Sequence, residues 1–248
     1  LYLSMGLILE EGFPRVDLER ILDSMQAAVK LADVQLVTGD TKVVPRGAAD
    51  KVFINTSGVG VVPEGVSVGA EGARAGDVIL LSGTMADHGM TILTQREGLG
   101  FESDLQSDSA ALNHLVARML AVCPEIHVLR DPTRGGVGTT LNEIAEQSGT
   151  GLRLREADLP VRPAVAGACD LLGFDPLYVA NEGKLLAFVP AAQAEAVLAA
   201  MRADDNGREA CVIGEVVDDH PGRVYMETRI GGERIVDMLT GEQLPRIC

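Results

Sequence analysis

The residue pattern predicts an α/β protein of two domains, with mixed sheets and flanking helices. Three observations carry this. Apolar runs at strand spacing alternate with runs at helical spacing from the start of the chain. A Gly-rich stretch from Pro63 to Gly76 interrupts the alternation, and the pattern then restarts. The 248 residues are 46% apolar, enough for more than one core and too apolar for disorder.

Each element follows from its residues. Leu3 to Leu9 is mostly apolar and reads as a strand. Asp17 opens a run placing Leu18, Ile21, Leu22, Met25, Val29 and Ala32 on one helical face. Val34–Val37 reads as a strand running into a polar loop, Thr38-Gly39-Asp40-Thr41-Lys42, and Lys51 to Val62 as the next strand. These residues, 1–62, form the first domain, and 63–239 the second. In the second, Asp77 to Leu81 is a strand. Asp108 is a suitable N-cap for a helix carrying Leu112, Leu115, Val116 and Met119, and Ile126 to Leu129 follows as a strand. Gly135-Gly136 precedes a helix through Leu141, Ile144 and Ala145, closed by Gly149, and Pro163 suits a helical first turn. Lys184–Val189 is a strand, Ala191–Met201 a helix, and Cys211–Val217, Arg223–Ile230 and Arg234–Leu239 are strands. Residues 240–248 lack either periodicity, so an extended, mobile tail is expected.

Composition excludes several functions. Lys and Arg total 21 against 36 Asp and Glu, a net charge of −15. Such a surface repels nucleic-acid phosphates and anionic lipid heads, so neither is an expected partner. No apolar run approaches the roughly 20 residues of a spanning helix, and no signal peptide opens the chain. A soluble cytoplasmic protein is expected. Cys123, Cys169, Cys211 and Cys248 are too far apart for a zinc or disulfide pattern, and the first three read as core residues. The four histidines lack the i, i+4 pairing of a helical metal site. The chain opens Leu-Tyr-Leu-Ser in what reads as mid-strand, so a missing N-terminal stretch is expected.

No Walker A loop and no Rossmann glycine fingerprint is present. Other segments offer chemistry. Asp40 can give magnesium a hard oxygen and Lys42 can meet a phosphate or an oxyanion, though a hairpin turn with a surface Asp–Lys pair would look the same. Gly83 to Met90, which includes His88, and Asp131 to Gly136, which includes Arg134, both lead from a strand into a helix and could present backbone N–H groups to an anion. So could any such junction. Asn181-Glu182-Gly183 follows the apolar Leu177 to Ala180, and Glu182 could act as a base or be a solvated loop residue. Cys248 follows Pro245-Arg246-Ile247 at the end of the sequence, where a thiol is hard to explain as core.

Taken in order, Thr38 to Val44, Phe53-Ile54-Asn55-Thr56, Asp87-His88-Gly89-Met90, Arg96-Glu97-Gly98-Leu99, Asp131 to Gly136, Leu141 to Ala145, Asp175 to Lys184 and the closing Pro-Arg-Ile-Cys resemble the HypE family of hydrogenase maturation proteins. That family lies in the AIR-synthase-like (PurM-like) group. The resemblance implies a first domain that binds ATP and dimerises through its sheet, and a second that closes over the nucleotide. It implies ATP-dependent dehydration of an S-carbamoyl group on Cys248 to a thiocyanate, the source of the cyanide ligands of the nickel–iron hydrogenase centre. By the same resemblance Lys42 and Glu182 are catalytic, with Lys42 polarising the oxygen and Glu182 the base. Asp40, Thr41 and Lys42 serve ATP and Asp40 serves Mg2+, while His88, Arg134 and Asn181 lie on the substrate side. The implied partners are a second copy of the chain, the carbamoyltransferase HypF and the HypC–HypD complex. An AIR-synthase-like ligase or kinase acting on a small molecule, or a non-catalytic maturation scaffold, are the competing readings.

Overall fold

A computed structural model describes residues 2–96 and 105–241. The chain divides into two compact units, Leu1–Glu64 and Gly65–Cys248.

The first unit contains β1 (Tyr2–Glu10), α1 (Arg15–Leu31), β2 (Gln35–Val44) and β3 (Val52–Val59). Its sheet runs β2-β1-β3, with β1 parallel to β2 and antiparallel to β3. The parallel pair needs a crossover, which α1 supplies. The Glu10 carboxylate accepts the N–H groups of Gly47 (2.6 Å) and Lys51 (3.1 Å), pinning the β2–β3 connection. Those two bonds hold its pKa below the usual carboxylate range. The expected polar loop at Thr38–Lys42 is instead the interior of β2, because all five residues pair in register with Ser4 to Ile8. Polar side chains are tolerated there because β2 is an edge strand and they stay exposed.

The second unit contains β4 (Asp77–Leu81), α2 (Asp87–Arg96), α3 (Asn113–Val122), β5 (Val128–Arg130), α4 (Gly136–Ser148), β6 (Gly151–Arg155), α5 (Pro163–Leu172), β7 (Leu186–Pro190), α6 (Ala191–Arg202), β8 (Cys211–Val217), β9 (Val224–Glu227) and β10 (Glu233–Ile235). The sheet order is β10-β9-β6-β8-β4-β7-β5. Its strands alternate between two cores. Ile79, Leu81, Leu186 and Phe188 pack with Leu141 and Ile144 of α4, while Leu80, Ala187 and Val189 pack with α3 and α6 through Leu115, Met119, Val197 and Met201. A third cluster joins Met90 and Leu93 of α2 to Val165 and Cys169 of α5.

Strand β6 was not among the expected elements, although Leu152 and Leu154 alternate inward on it. Asp108 is not a helix cap. Leu112 precedes α3 without a side-chain cap bond, and Asp108 is engaged elsewhere. Cys123 and Cys169 are core as expected, but Cys211 is half-buried. Burial pushes the thiols of Cys169 and Cys211 up to about 11, so neither is a ready thiolate at neutral pH.

Candidate functional site

Register builds the polar face of the first unit. Gly6 pairs with Asp40 on one side and Asn55 on the other, and Ile8 pairs with Lys42 and Phe53. Paired residues share a face, and strand side chains alternate, so Asp40, Lys42 and Asn55 stand on one face while Thr41, Leu7 and Ile54 stand on the other. Gly6 leaves open space between Asp40 and Asn55, since a Cβ there would meet nothing nearer than 4.0 Å. Asp40 accepts the Thr41 N–H at 2.8 Å, and Asp40 and Lys42 are both exposed. One carboxylate is too few ligands for a metal centre, and no group of three metal-ligating side chains occurs among the described residues. Asp40 fits magnesium only as a contributor to an ion that arrives with nucleotide phosphates.

In the second unit, loops at the ends of β4 and β5 meet the loop that enters β7. Asn181 ties them together. Its Oδ1 accepts the Ala86 N–H at 2.8 Å, and its Nδ2 donates to the carbonyls of Pro132 (2.9 Å) and Val179 (3.2 Å). Gly135 and Gly136 turn the chain from β5 into α4 with positive φ. A Cβ on Gly136 would sit 2.6 Å from the carbonyl oxygens of Leu177 and Val179, so the close approach of this turn to the 177–179 segment requires glycine.

Asp87 and His88 open α2, and both are buried. The Thr84 hydroxyl donates to Asp87 at 2.5 Å, and the Arg162 guanidinium lies 3.7 Å away. Burial nevertheless pushes the Asp87 carboxyl above its ordinary range, with Thr84 and Arg162 pulling the other way. His88 Nδ1 is 2.9 Å from Ser107 Oγ, and its buried Nε2 has no hydrogen-bond partner among the described residues. Arg134 is exposed and Glu182 half-buried. No hydrogen bond or ion pair among the described residues occupies the Glu182 carboxylate.

The structure thus gathers His88, Asn181 and Glu182 around one loop cluster, and Asp40, Thr41 and Lys42 on one strand of the other unit. Cys248 lies outside the described residues, as do the other residues of the closing Pro-Arg-Ile-Cys and Glu97-Gly98-Leu99. Sequence reasoning missed Thr84, Ser107 and Lys184 as contributors to the loop cluster, and misread Asp108. Its signal was available only as an Asp followed by no immediate helix.

Residues 1–62 match the AIR synthase related protein N-terminal domain, and residues 74–227 the corresponding C-terminal domain. The fold and these matches define an AIR-synthase-type two-unit protein. Carbamoyl dehydratase HypE of Azotobacter vinelandii is 62% identical over 247 residues, covering all of this chain and 72% of that protein. Carbamoyl dehydratase HypE of Cupriavidus necator is 61% identical over 248 residues, covering all of this chain and 71% of that protein. A crystal structure of hydrogenase maturation protein HypE in complex with ATP superposes with a TM-score of 0.95 at 52% identity, over 100% of this chain and 75% of that one. A HypE–HypF complex superposes with a TM-score of 0.92 at 46% identity, over 96% and 77%. The chain belongs to the AIR synthase related family and, within it, to the HypE carbamoyl dehydratases of hydrogenase maturation. No helix among the described residues is long and apolar enough to cross a membrane.

Proposed function

We propose that this chain carries out the ATP-dependent dehydration of an S-carbamoyl group on its own Cys248. The observation that carries the reading is the 62% identity to a carbamoyl dehydratase along the whole chain. The carbamoyl sulfur compound, –S–CO–NH2, must lose its oxygen to become –S–C≡N, and an amide oxygen is a poor leaving group. Transfer of the ATP γ-phosphoryl group to that oxygen makes it phosphate on departure. One N–H proton is lost as the phosphorylated imidate forms, and the second as the C–O bond breaks. The products are thiocyanate, ADP and phosphate. Glu182, with a carboxylate left open by its neighbours, is the base for these protons, and Lys42 steadies charge on the oxygen. Asp40 shares its face with Lys42 and faces the nucleotide, whose phosphates would bring the magnesium ion, whereas Thr41 points to the opposite face of β2. His88, Arg134 and Asn181 flank the substrate, with Asn181 holding the loops in place.

HypF, which is seen bound to a relative 46% identical to this chain, is the proposed source of the carbamoyl group, and HypC–HypD the acceptor of the cyano group. The apolar side chains exposed on the first sheet, Ile8 and Phe53 on one face and Ile54 and Val43 on the other, favour a homodimer through that unit.

With HypF, carbamoyl phosphate and ATP, the C-terminal peptide of the intact protein is expected to gain a carbamoyl mass and then lose the mass of water. Cys248→Ala abolishes both changes, and carbamoylation surviving in that variant would reassign the acceptor. Glu182→Gln and Lys42→Ala are expected to slow the second change by roughly 10²- to 10⁴-fold while leaving the first intact. Dehydration at the wild-type rate would make both residues structural.

A further inference from the structure

Asp108 has the environment of a group that orients others. Its side chain is 2% exposed. Oδ1 accepts the N–H groups of Glu182 (3.0 Å) and Gly183 (3.3 Å), two successive amides of the loop carrying the proposed base. Oδ2 has no hydrogen-bond partner among the described residues, and the charge it faces is Lys184 Nζ at 3.5 Å, on a side chain 12% exposed. The Lys184 stem runs past Gly83, where a Cβ would come within 3.1 Å of Cε.

The backbone is fitted as closely as the side chain. A Cβ on Gly183 would lie 1.7 Å from the Asp108 carbonyl oxygen and 2.7 Å from the Ala110 nitrogen, so the 108–110 segment lies directly against the loop. One residue earlier, Ser107 Oγ meets His88 and accepts the Ser109 N–H at 3.2 Å. Residues 107–109 therefore form a strap between the first turn of α2 and the Glu182 loop.

A carboxylate without water is a poor source of stability, because an apolar residue of similar size would avoid its desolvation. It does fix direction. Two N–H groups converging on one oxygen lock the 181–183 peptide planes, and with them the Cα–Cβ vector of Glu182.

We propose that Asp108 is a positioning residue for the dehydration: it aims the Glu182 carboxylate at the thiocarbamate nitrogen, with Lys184 balancing its charge. This rests on Glu182 being the base. Misplacing a reacting group by about 1 Å can cost on the order of 10²-fold in rate.

The test uses intact protein carbamoylated through HypF and reads three quantities: carbamoyl uptake, the single-turnover rate of thiocyanate formation, and ATP affinity. Asp108→Ala is expected to slow thiocyanate formation by roughly 10- to 100-fold, with uptake and ATP affinity within about twofold of wild type. Asp108→Asn, whose amide oxygen can still accept both N–H groups, should recover most of the rate. If Asp108→Ala does not fold, Asp108→Ser is read in its place, since its shorter hydroxyl cannot span both amides. A folded Ala or Ser variant at wild-type rate overturns the proposal, and so does a uniform loss of all three quantities or a failure of Asn to rescue. Glu182→Gln is measured alongside. If it is slow while Asp108→Ala is not, only the positioning role falls; if Glu182→Gln turns over normally, the base assignment falls and the positioning role with it.

Discussion

Leu7 and Leu141 are the same residue type, each turned inward from its element, yet their surroundings differ. Leu141 is fully buried among Ile79, Phe188, Leu152 and Met226. Leu7 is 6% exposed, but its sheet neighbours Ile8, Phe53, Ile54 and Val43 face solvent, Phe53 by 51%, and α1 buries no residue. The second unit buries most of its apolar residues in three clusters around a seven-stranded sheet, with exceptions such as Leu171 and Ile230. The first leaves apolar side chains exposed on both faces of its sheet. The same α/β grammar therefore closes most of its apolar surface in the larger unit and leaves more of it open in the described residues of the smaller one.

The comparison can be broken at its centre. Leu141→Ala is expected to cost about 3–5 kcal/mol of stability, and Leu7→Ala nearer 2, at the low end for buried leucines. Urea unfolding of the two variants checks this, and equal losses would mean that the first unit is packed as well as the second. Phe53→Asp sharpens the other side. It should weaken homodimer formation at least about tenfold, or 1.4 kcal/mol, in sedimentation across a concentration series, while unfolding of the second unit is unchanged. An unaltered dimer would move the interface off the face that carries Ile8 and Phe53.

The smallest effect is a matter of slope. Burial holds the Asp87 carboxyl above its ordinary value, so the folded state binds more protons than the unfolded one in the window from that ordinary value upward. Stability should fall as pH rises through the window, with the cost fully present above it. Asp87→Asn keeps an acceptor for Thr84 but carries no proton to lose, so its melting temperature should vary less with pH there. A variant as steep as wild type would place the loss of stability with rising pH at other groups.

Where the sequence was readable, the reason was local. The helices α1, α4, α5 and α6 announce themselves through 3.6-residue spacing, Pro163 at a first turn, and glycines after α4 and α5. The misreadings arise from partners far along the chain. Gly39-Asp40-Thr41-Lys42 has turn composition, but pairing with β1 overrides it. Asp108 has the chemistry of a helix cap, but the amides it accepts belong to residues 74 and 75 positions later. No local rule could find them. Lys42 and Glu182 could be singled out by residue type and by family resemblance, whereas the strap behind Glu182 became visible only with the packing of Gly183 against Asp108.

Strand β4 sits between β8 and β7, its partners lying more than 100 residues downstream. Its run Ile79-Leu80-Leu81 is made about 105 residues before β7, the first of its two neighbours, which begins at Leu186. At roughly 5–20 residues per second, that is about 5–21 s during which the most apolar strand of the sheet has no neighbour to pair with. The first unit, whose three strands all lie within residues 2–59, can close its sheet before β4 is even made. Nascent chains halted between Leu81 and Leu186 should therefore engage chaperones through this strand, and release should begin with the synthesis of β7 and be complete with that of β8.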